Sequence, residues 1–297
     1  MLQVVNKILN VFFNIFFPKS CYFCESKIIS KNTTYQHNIL CDACLNDCEK
    51  IYYSNENSQQ ISKENFCLRC SNIILNNNQK FCHQCLKNLP NFDSVFSVFK
   101  YQFPFKKIIH FFKYQHQFSA IPFLAEQFFY HFYNHFDFIK TNYLNNLNNL
   151  NNLNNLNNLN NLNKKNLFIP MPINKQRLAE RGFNQTELIL KYIFKHYKKQ
   201  LKALNINISL ELNLLLRKEF SKDEKVHLQA KLNAQQRKEN IKDAFFIAEK
   251  FKENLQNSQI FLLDDVVTTG STANEAAKIL KANGASKVHI FSLARRL

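Results

Sequence analysis

Two adjacent carboxylates, Asp264 and Asp265, follow an apolar run at 260–263 that predicts a buried strand. A hydroxyl-rich turn at 268–272 comes next and opens a predicted helix over 273–283. Carboxylates accept hydrogen bonds from sugar hydroxyls, whereas backbone amides, hydroxyls and the positive end of a helix dipole hold phosphate groups. The pattern therefore predicts a site for a phosphorylated ribose at the carboxyl end of a strand.

Glycine usage marks the same turn. The chain has 3 Gly in 297 residues, whereas an average usage of ~7% would give about twenty. Asn tolerates the left-handed backbone region and replaces Gly in many turns. A Gly that survives in so Asn-rich a chain therefore indicates a position that Asn cannot fill. Gly270 lies in the turn, Gly182 lies in a second polar cluster, and Gly284 is predicted to cap the helix.

The turn resembles the phosphoribosyl diphosphate (PRPP) signature of type I phosphoribosyltransferases. The resemblance implies that Asp264 and Asp265 hold the ribose 2′ and 3′ hydroxyls. It implies that the 5′-phosphate is held by Thr268, Thr269, Gly270, Ser271 and Thr272. It does not identify the acceptor of the ribosyl group. The alternative is a structural strand and a capped helix that bind no ligand.

Eight of the nine cysteines form four Cys-x-x-Cys pairs, and Cys48 is left over. Each pair places two thiolates in one tight turn, and two pairs complete a tetrahedral metal site. Sequential pairing predicts two structural Zn²⁺ sites, formed by Cys21, Cys24, Cys41 and Cys44 and by Cys67, Cys70, Cys82 and Cys85. An iron–sulfur cluster is the alternative, although the compact ferredoxin spacing is missing. Thiolate ligands require a reducing compartment.

The net charge of +17 is unevenly distributed. Residues 164–297, which include the phosphate-binding turn, contain 25 Lys and Arg against 13 Asp and Glu. This surplus suits a polyanionic ligand, single-stranded DNA, or both. A general drift of the composition toward Lys is the other explanation.

The most apolar N-terminal run, residues 8–17, is interrupted by Asn10 and Asn14 and is too short to cross a bilayer. It also lacks the small-residue cleavage site of a secretory signal. We therefore expect a cytoplasmic protein with at most a peripheral contact at the inner face of the cytoplasmic membrane.

The composition predicts an apolar lead-in at 1–18, a double zinc-ribbon module at 19–90 and an α/β domain at 91–297. Strands are predicted at 92–101, 167–171, 260–263 and 287–293. Helices are predicted at 105–114, at 121–138, from the end of the polar cluster at Gln185 to about Lys199, and at 273–283. Alternating strands and helices favour a parallel sheet flanked by helices. Six Leu-Asn-Asn triplets fit no regular period, so residues 144–163 are predicted to be a flexible surface insertion.

Two further motifs lie between the predicted insertion and the acidic turn. Arg177 and Arg181 lie four residues apart before Gly182 and are predicted to grip a pyrophosphate, because guanidiniums bind such groups bidentately. A solvated basic turn is the alternative. Residues 217–240 form a polar stretch without strong periodicity and are a candidate mobile lid. Its marked residues are Arg217, Lys218, Gln229, Arg237 and Asn240.

Together, the Cys pairs, the two motifs and the acidic turn resemble the ComF family, that is, ComFC-type competence proteins. The resemblance implies a zinc-ribbon module joined to a type I phosphoribosyltransferase-like domain. It also implies handling of single-stranded DNA in natural transformation, a competence helicase as partner, and PRPP bound with Mg²⁺. One departure lies in the candidate lid, where Val226 stands in place of the usual Thr.

Any transfer reaction would expel pyrophosphate from C1 of the ribose through an oxocarbenium-like state. Arg177 and Arg181 would then stabilise the leaving charge. Two alternatives stay open at this point. One is a metabolic phosphoribosyltransferase, although a glutamine-dependent type would need an N-terminal Cys that Met1-Leu2 does not supply. The other is a catalytically silent nucleic-acid-binding module.

Overall fold

A computed structural model describes residues 20–28, 39–51, 65–76, 79–148, 165–204, 207–218 and 244–297, with backbone alone at 137–148. The predicted lead-in at 1–18 and most of the Leu-Asn-Asn repeat lie outside these residues. So do Val226, Gln229, Arg237 and Asn240 of the candidate lid.

The cysteine-rich part consists of short elements. They are helix α1 (Asp42–Asn46), the antiparallel strands β1 (Asn65–Phe66) and β2 (Ile73–Ile74), and helix α2 (His83–Lys87). No element here is longer than five residues among those described. Such short elements cannot bury a core of their own, so the cysteines must contribute to their stability.

A five-stranded sheet carries the rest of the fold. Its strands are β3 (Ser94–Lys100), β4 (Asn166–Pro170), β5 (Ile208–Leu210), β8 (Gln259–Val267) and β9 (Lys287–Arg295). The order is β3-β9-β8-β4-β5, and every neighbouring pair is parallel. Strand β8 is therefore central. The predicted α/β class with a parallel sheet is confirmed.

Helices and one hairpin complete the described architecture. The hairpin pairs β6 (Leu215–Arg217) with β7 (Phe245–Ile247). The helices are α3 (Phe105–Tyr114), α4 (Ala120–Asn148), α5 (Lys175–Arg181), α6 (Gln185–His196), α7 (Lys198–Ala203), α8 (Lys252–Leu255) and α9 (Ser271–Ala282), with a 3₁₀ turn at Glu249–Phe251.

The sheet has one aromatic face and one aliphatic face. Alternation along β8 sends Phe261 and Leu263 to the first face and Ile260 and Leu262 to the second. On the first face, the Phe132 ring of α4 lies 5.3 Å from the rings of both Phe261 and Phe291. On the second, α9 packs through small residues such as Ala276 and Ala277. The Phe residues of α4 at these positions therefore form core.

Two predicted boundaries were wrong. The helix expected after Gln185 begins at that residue, capped by Asn184, but it ends at His196, and a separate helix, α7, includes Lys199. Helix α5 lies within the polar cluster, where no helix was predicted, and ends at Gly182, which adopts φ +74°. The helix expected to end at 138 continues to Asn148, so the first residues of the Leu-Asn-Asn repeat are helical. Within the described ranges, no helix has the length and apolar character needed to span a membrane.

Candidate functional site

The two adjacent carboxylates lie at the carboxyl end of the central strand. Asp264 on β8 stands opposite Ser292 on β9, and the amide of Met171, just beyond β4, donates to the carbonyl of Leu263 at 2.7 Å. The ends of three parallel strands thus meet around the acidic pair. This is the edge where open α/β sheets bind ligands.

Lys113, in the last turn of α3, neutralises one of the two carboxylates. Its Nζ lies 2.7 Å from Asp265 Oδ2, and the two side chains are only 15% and 16% exposed. The amide of Asp265 donates to Asp264 Oδ1 at 2.8 Å. Asp265 therefore has a fixed counter-ion, whereas Asp264 forms no direct ion pair with the residues that the structure describes.

Burial raises the pKa of Asp264 to about 7, and the neighbouring charge of Asp265 adds to the shift. The cations of Lys113 and Arg177 act in the opposite direction. A carboxyl group with such a pKa changes its charge near neutral pH. Strong perturbation of this kind is typical of functional sites.

The turn after β8 forms a small pocket beside Asp264. Gly270 adopts φ +78° and precedes α9, and the amide of Ser271 donates to Thr269 Oγ1 at 3.3 Å. The pocket is shallow and open to solvent, and it is lined by Asp264, Val266, Val267, Thr268, Gly270, Ser271, Thr272 and Ala273. First-turn amides of a helix have no partner within the helix, so the amides of Thr272 and Ala273, which follow Ser271, can face an anion here.

The structure separates the two arginines that the sequence pairs. Arg181 is buried, donates to Gln185 Oε1 at 3.2 Å and to Tyr114 Oη at 3.0 Å, and lies 5.0 Å from the centroid of the Tyr114 ring. Arg177 is exposed on α5, and its charge acts on Asp264. Of these two arginines, Arg177 is thus the one that is open to a ligand beside the acidic pair.

Arg217 is a second arginine whose charge acts at this site, and it lies on a different element from Arg177. The guanidinium of Arg217, on β6, lies 5.5 Å from the centroid of the Phe245 ring. Burial lowers the pKa of Arg217, and the charge of Arg177 adds to this decrease. The negative charge of Asp264 acts in the opposite direction. The sequence placed Arg217 in a candidate lid, and it missed Lys113 altogether. A lysine at the end of an amphipathic helix carries no signal of its own, because such residues commonly face solvent.

The cysteines form the two clusters that sequential pairing predicts. In each, the four Sγ atoms lie within 4.8 Å of one another. Cys24 Sγ lies 3.5 Å from Cys41 Sγ, and Cys70 Sγ lies 3.6 Å from Cys82 Sγ. Four sulfurs at ~2.3 Å from a tetrahedral zinc ion are roughly 3.8 Å apart, so both clusters fit this metal. Cys21, Cys24, Cys41 and Cys44 would hold one ion, and Cys67, Cys70, Cys82 and Cys85 the other.

The two clusters share one local design. The amide of Cys21 donates to the carbonyl of Ser26, and the amide of Cys67 donates likewise to Asn72. The residue after the second Cys, Glu25 or Ser71, adopts positive φ in both turns. The second pair of each cluster begins directly before a short helix, α1 or α2. Similar backbone conformations thus bring four thiols together twice.

Cys48 does not belong to either cluster. It is 3% exposed, burial raises its pKa to about 12, and its thiol donates to the carbonyl of Cys44 at 3.4 Å. A protonated buried thiol of this kind is a packing residue.

Each cluster contacts one wall of the acidic site. Beside the first, Tyr22 donates to Gln117 Oε1 at 2.6 Å, and Phe23 packs on Phe103, 5.8 Å between centroids. These contacts hold the two ends of α3, which carries Lys113. Beside the second, the buried Arg295 donates to the carbonyls of Cys70 and Val267, both at 3.1 Å. Arg295 thus links this cluster to the start of the ligand turn.

Comparisons with known proteins agree with this architecture. The chain is 26% identical to Competence protein F of Haemophilus influenzae over 287 residues, which cover 94% of this chain and 98% of that protein. It is 30% identical to DNA utilization protein YhgH of Escherichia coli (strain K12) and 31% identical to Competence protein ComFC of Streptococcus pneumoniae. These two alignments cover 43% and 44% of this chain and 49% of each relative. These similarities support the resemblance to the ComF family that the sequence motifs indicate. No family model matches it.

We predict that the chain binds two zinc ions, one per cluster. Cys24→Ser and Cys67→Ser should each reduce the zinc content to about one ion per chain, because each removes one thiolate from a different tetrahedral site. Elemental mass spectrometry of the purified proteins measures this. Cys48→Ala is the matched control and should retain both ions. Iron in place of zinc, or equal metal loss from Cys48→Ala, would contradict the assignment.

We predict that Asp264→Asn stabilises the protein above neutral pH. The native state holds the Asp264 proton more tightly than the unfolded chain, because its pKa is raised from 3.8 to about 7. Wild-type stability therefore falls as pH rises between these two values, and the variant avoids this loss. The melting temperature should increase by about 2–6 °C at pH ~8, and the difference should vanish near pH ~4. A difference independent of pH would refute the explanation.

We predict that Lys113→Gln destabilises the protein by about 1–3 kcal/mol, between the values for exposed and buried ion pairs. The cause is the uncompensated charge left on Asp265. Adding Asp265→Asn should restore most of the loss, and urea unfolding of the four proteins in this double-mutant cycle measures the coupling. Lys106→Gln, on the same helix but exposed, is the control and should have little effect. Additive effects of the two substitutions would show that the pair does not contribute.

Proposed function

We propose that the chain acts in DNA uptake, that its α/β domain binds PRPP together with Mg²⁺, and that it also binds single-stranded DNA. The observation that carries the ligand assignment is the pocket beside Asp264, formed by the carboxyl end of β8 and the first turn of α9. It combines a carboxylate for ribose hydroxyls with amides and hydroxyls for a phosphate.

The role in DNA uptake is supported by relatives whose names refer to competence and to DNA utilization. The basic surplus of residues 164–297 supports an anionic partner. A competence helicase and a peripheral membrane contact belong to the same proposal as expected partners. The division at residues 18 and 90 likewise stays a prediction.

We assign distinct tasks to the charged groups around the pocket. Asp264 accepts hydrogen bonds from the ribose hydroxyls, and Lys113 holds Asp265 in a fixed orientation beside it. Residues Thr268 to Thr272 receive the 5′-phosphate. Mg²⁺ would offset the charge of the diphosphate. Asp264 is the carboxylate that suits it, because Asp265 already has a cationic partner.

We assign the diphosphate to two arginines that lie on different elements. Arg177 and Arg217 act on Asp264 from separate elements, and they are the guanidiniums that we assign to the diphosphate. Arg181 acts as a positioning residue, since Tyr114 and Gln185 hold its guanidinium inside the protein. It fixes the end of α5 relative to α3.

If the bound ligand reacts, the bond between C1 and the diphosphate oxygen breaks and its electron pair leaves with the diphosphate. The acceptor then forms the new bond to C1. Arg177 would stabilise the negative charge that develops on the leaving oxygens. The acceptor must supply its own lone pair, and any proton that it carries is lost to solvent.

Calorimetric titration of PRPP in the presence of Mg²⁺ tests the ligand assignment. Wild type should release binding heat, and Asp264→Asn combined with Asp265→Asn should lose at least about tenfold in affinity, since hydrogen bonds to charged groups contribute ~1.5–3 kcal/mol. Ribose 5-phosphate and pyrophosphate, titrated separately, report on the two halves of the site. Glu253→Gln, in the first turn of α8, is a control that should bind as wild type does. No heat with wild type would refute the PRPP site.

A further inference from the structure

Helix α3 and its flanks present an exposed face of aromatic rings and cations. We call it the aromatic–basic face and define it by Phe103, Lys106, Lys107, His110, Tyr114 and Phe118. Phe103, Tyr114 and Phe118 are 71%, 54% and 46% exposed. Large rings left in solvent to this extent mark an interaction surface when they lie close together.

The rings of this face are held in place by further aromatic contacts. Phe103 lies 5.8 Å from the Phe23 ring, and Phe118 lies 4.9 Å from the Phe183 ring. His110 lies 4.9 Å from the Tyr114 ring. The exposed rings are thus supported from beneath, so a planar ligand group can stack on them without first ordering them.

The charge of this face has one sign. Between Ser94 and Ala125 the chain contains four Lys and no Asp or Glu. Lys107 Nζ lies 5.7 Å from the Phe23 ring centroid and 5.3 Å from that of Phe111. Its ammonium group therefore lies against rings and stays available to an anion at the surface.

The combination of exposed rings and lysines favours one class of partner over the others. Lys is depleted in the cores of protein–protein interfaces, so a surface where Lys alternates with Phe suits a protein partner poorly. Single-stranded nucleic acid suits this combination, since its bases stack on rings while its phosphates contact cations. A duplex would leave the rings unused, because its bases are already stacked on one another.

The face is continuous with the pocket. Lys106, His110 and Lys113 follow one another at spacings of four and three residues, so they lie along one side of α3 over roughly 10 Å. Lys113 contacts Asp265, and Tyr114 contacts Arg181. A strand bound along α3 would thus reach the rim of the pocket.

We infer that single-stranded nucleic acid binds along the aromatic–basic face, with bases on Phe103 and Phe118 and phosphates on Lys106 and Lys107. The inference rests on the proposed function, because it locates the DNA binding proposed there. It assigns that binding to α3 and its flanks rather than to the more basic C-terminal half.

Fluorescence anisotropy with a labelled oligothymidylate tests the site. Phe103→Ala combined with Phe118→Ala should weaken binding about tenfold or more, because each stacked base contributes ~1–3 kcal/mol. Lys106→Gln combined with Lys107→Gln should weaken binding and reduce the slope of log affinity against log salt by about 1.4, two phosphate contacts at ~0.7 each.

Matched controls come from other exposed positions. Phe246→Ala, on β7, replaces a ring that is 40% exposed, and Lys198→Gln with Lys199→Gln removes an adjacent exposed pair from α7. Both should bind as wild type does. Zinc content and melting temperature confirm that every variant is folded.

The possible failures are distinguishable. If wild type binds the oligonucleotide and the face variants bind equally well, the location is wrong and the proposed function stands. If wild type does not bind, the DNA part of the proposed function is wrong as well. Equal affinity for duplex DNA would refute base stacking. A change of oligomeric state in the face variants, measured by sedimentation at unchanged DNA affinity, would show instead that the face contacts a second copy of the chain.

Discussion

Two carboxylates side by side at the end of the central strand are the constraint around which the rest of the structure is arranged. Like charges this close cannot both remain ionised in a half-buried position without cations nearby. Lys113 satisfies Asp265 at 2.7 Å, and Arg177 and Arg217 act on Asp264 from two other elements. Helices α3 and α5 and the β6–β7 hairpin therefore each contribute one cation to the same point. Burial of the Asp264 carboxylate reduces the stability of the protein, but it leaves an acidic group that a ligand can use.

The cysteine clusters explain how such an arrangement stays rigid. Elements of two to five residues cannot hold a wall of a charged pocket by apolar packing alone. The first cluster supports α3 through Tyr22 and Phe23, whereas the second is tied to Val267 through Arg295. Metal ligation, where it occurs, would thus fix both sides of the carboxyl end of β8. The same turn conformation thus occurs in both clusters, although the clusters contact different walls of the pocket.

Much of this architecture is predictable because it depends on local patterns. Apolar runs with turn residues indicated the strands around β8, and the spacing of the cysteines indicated both clusters. Helix α5 was missed because it is short and exposed along most of its length, so it shows no apolar periodicity. Lys113 was missed because its partner lies 152 positions later in the sequence, at Asp265. The separation of Arg177 from Arg181 depends on Tyr114, another distant residue that no spacing rule connects to them.

Helix α3 contacts the core, the acidic pair and the solvent at once, which neither its length nor its composition predicts. Its buried side, which includes Ile108, Ile109 and Phe112, joins the aromatic core. Its last turn delivers Lys113 to Asp265, and its outer side carries Lys107 among exposed rings. A rigid helix cannot shift one of these sides without shifting the others, because its i, i+3 and i, i+4 neighbours move together. The geometry of the acidic pair and that of the aromatic–basic face are thus set by the packing of a single element against the sheet.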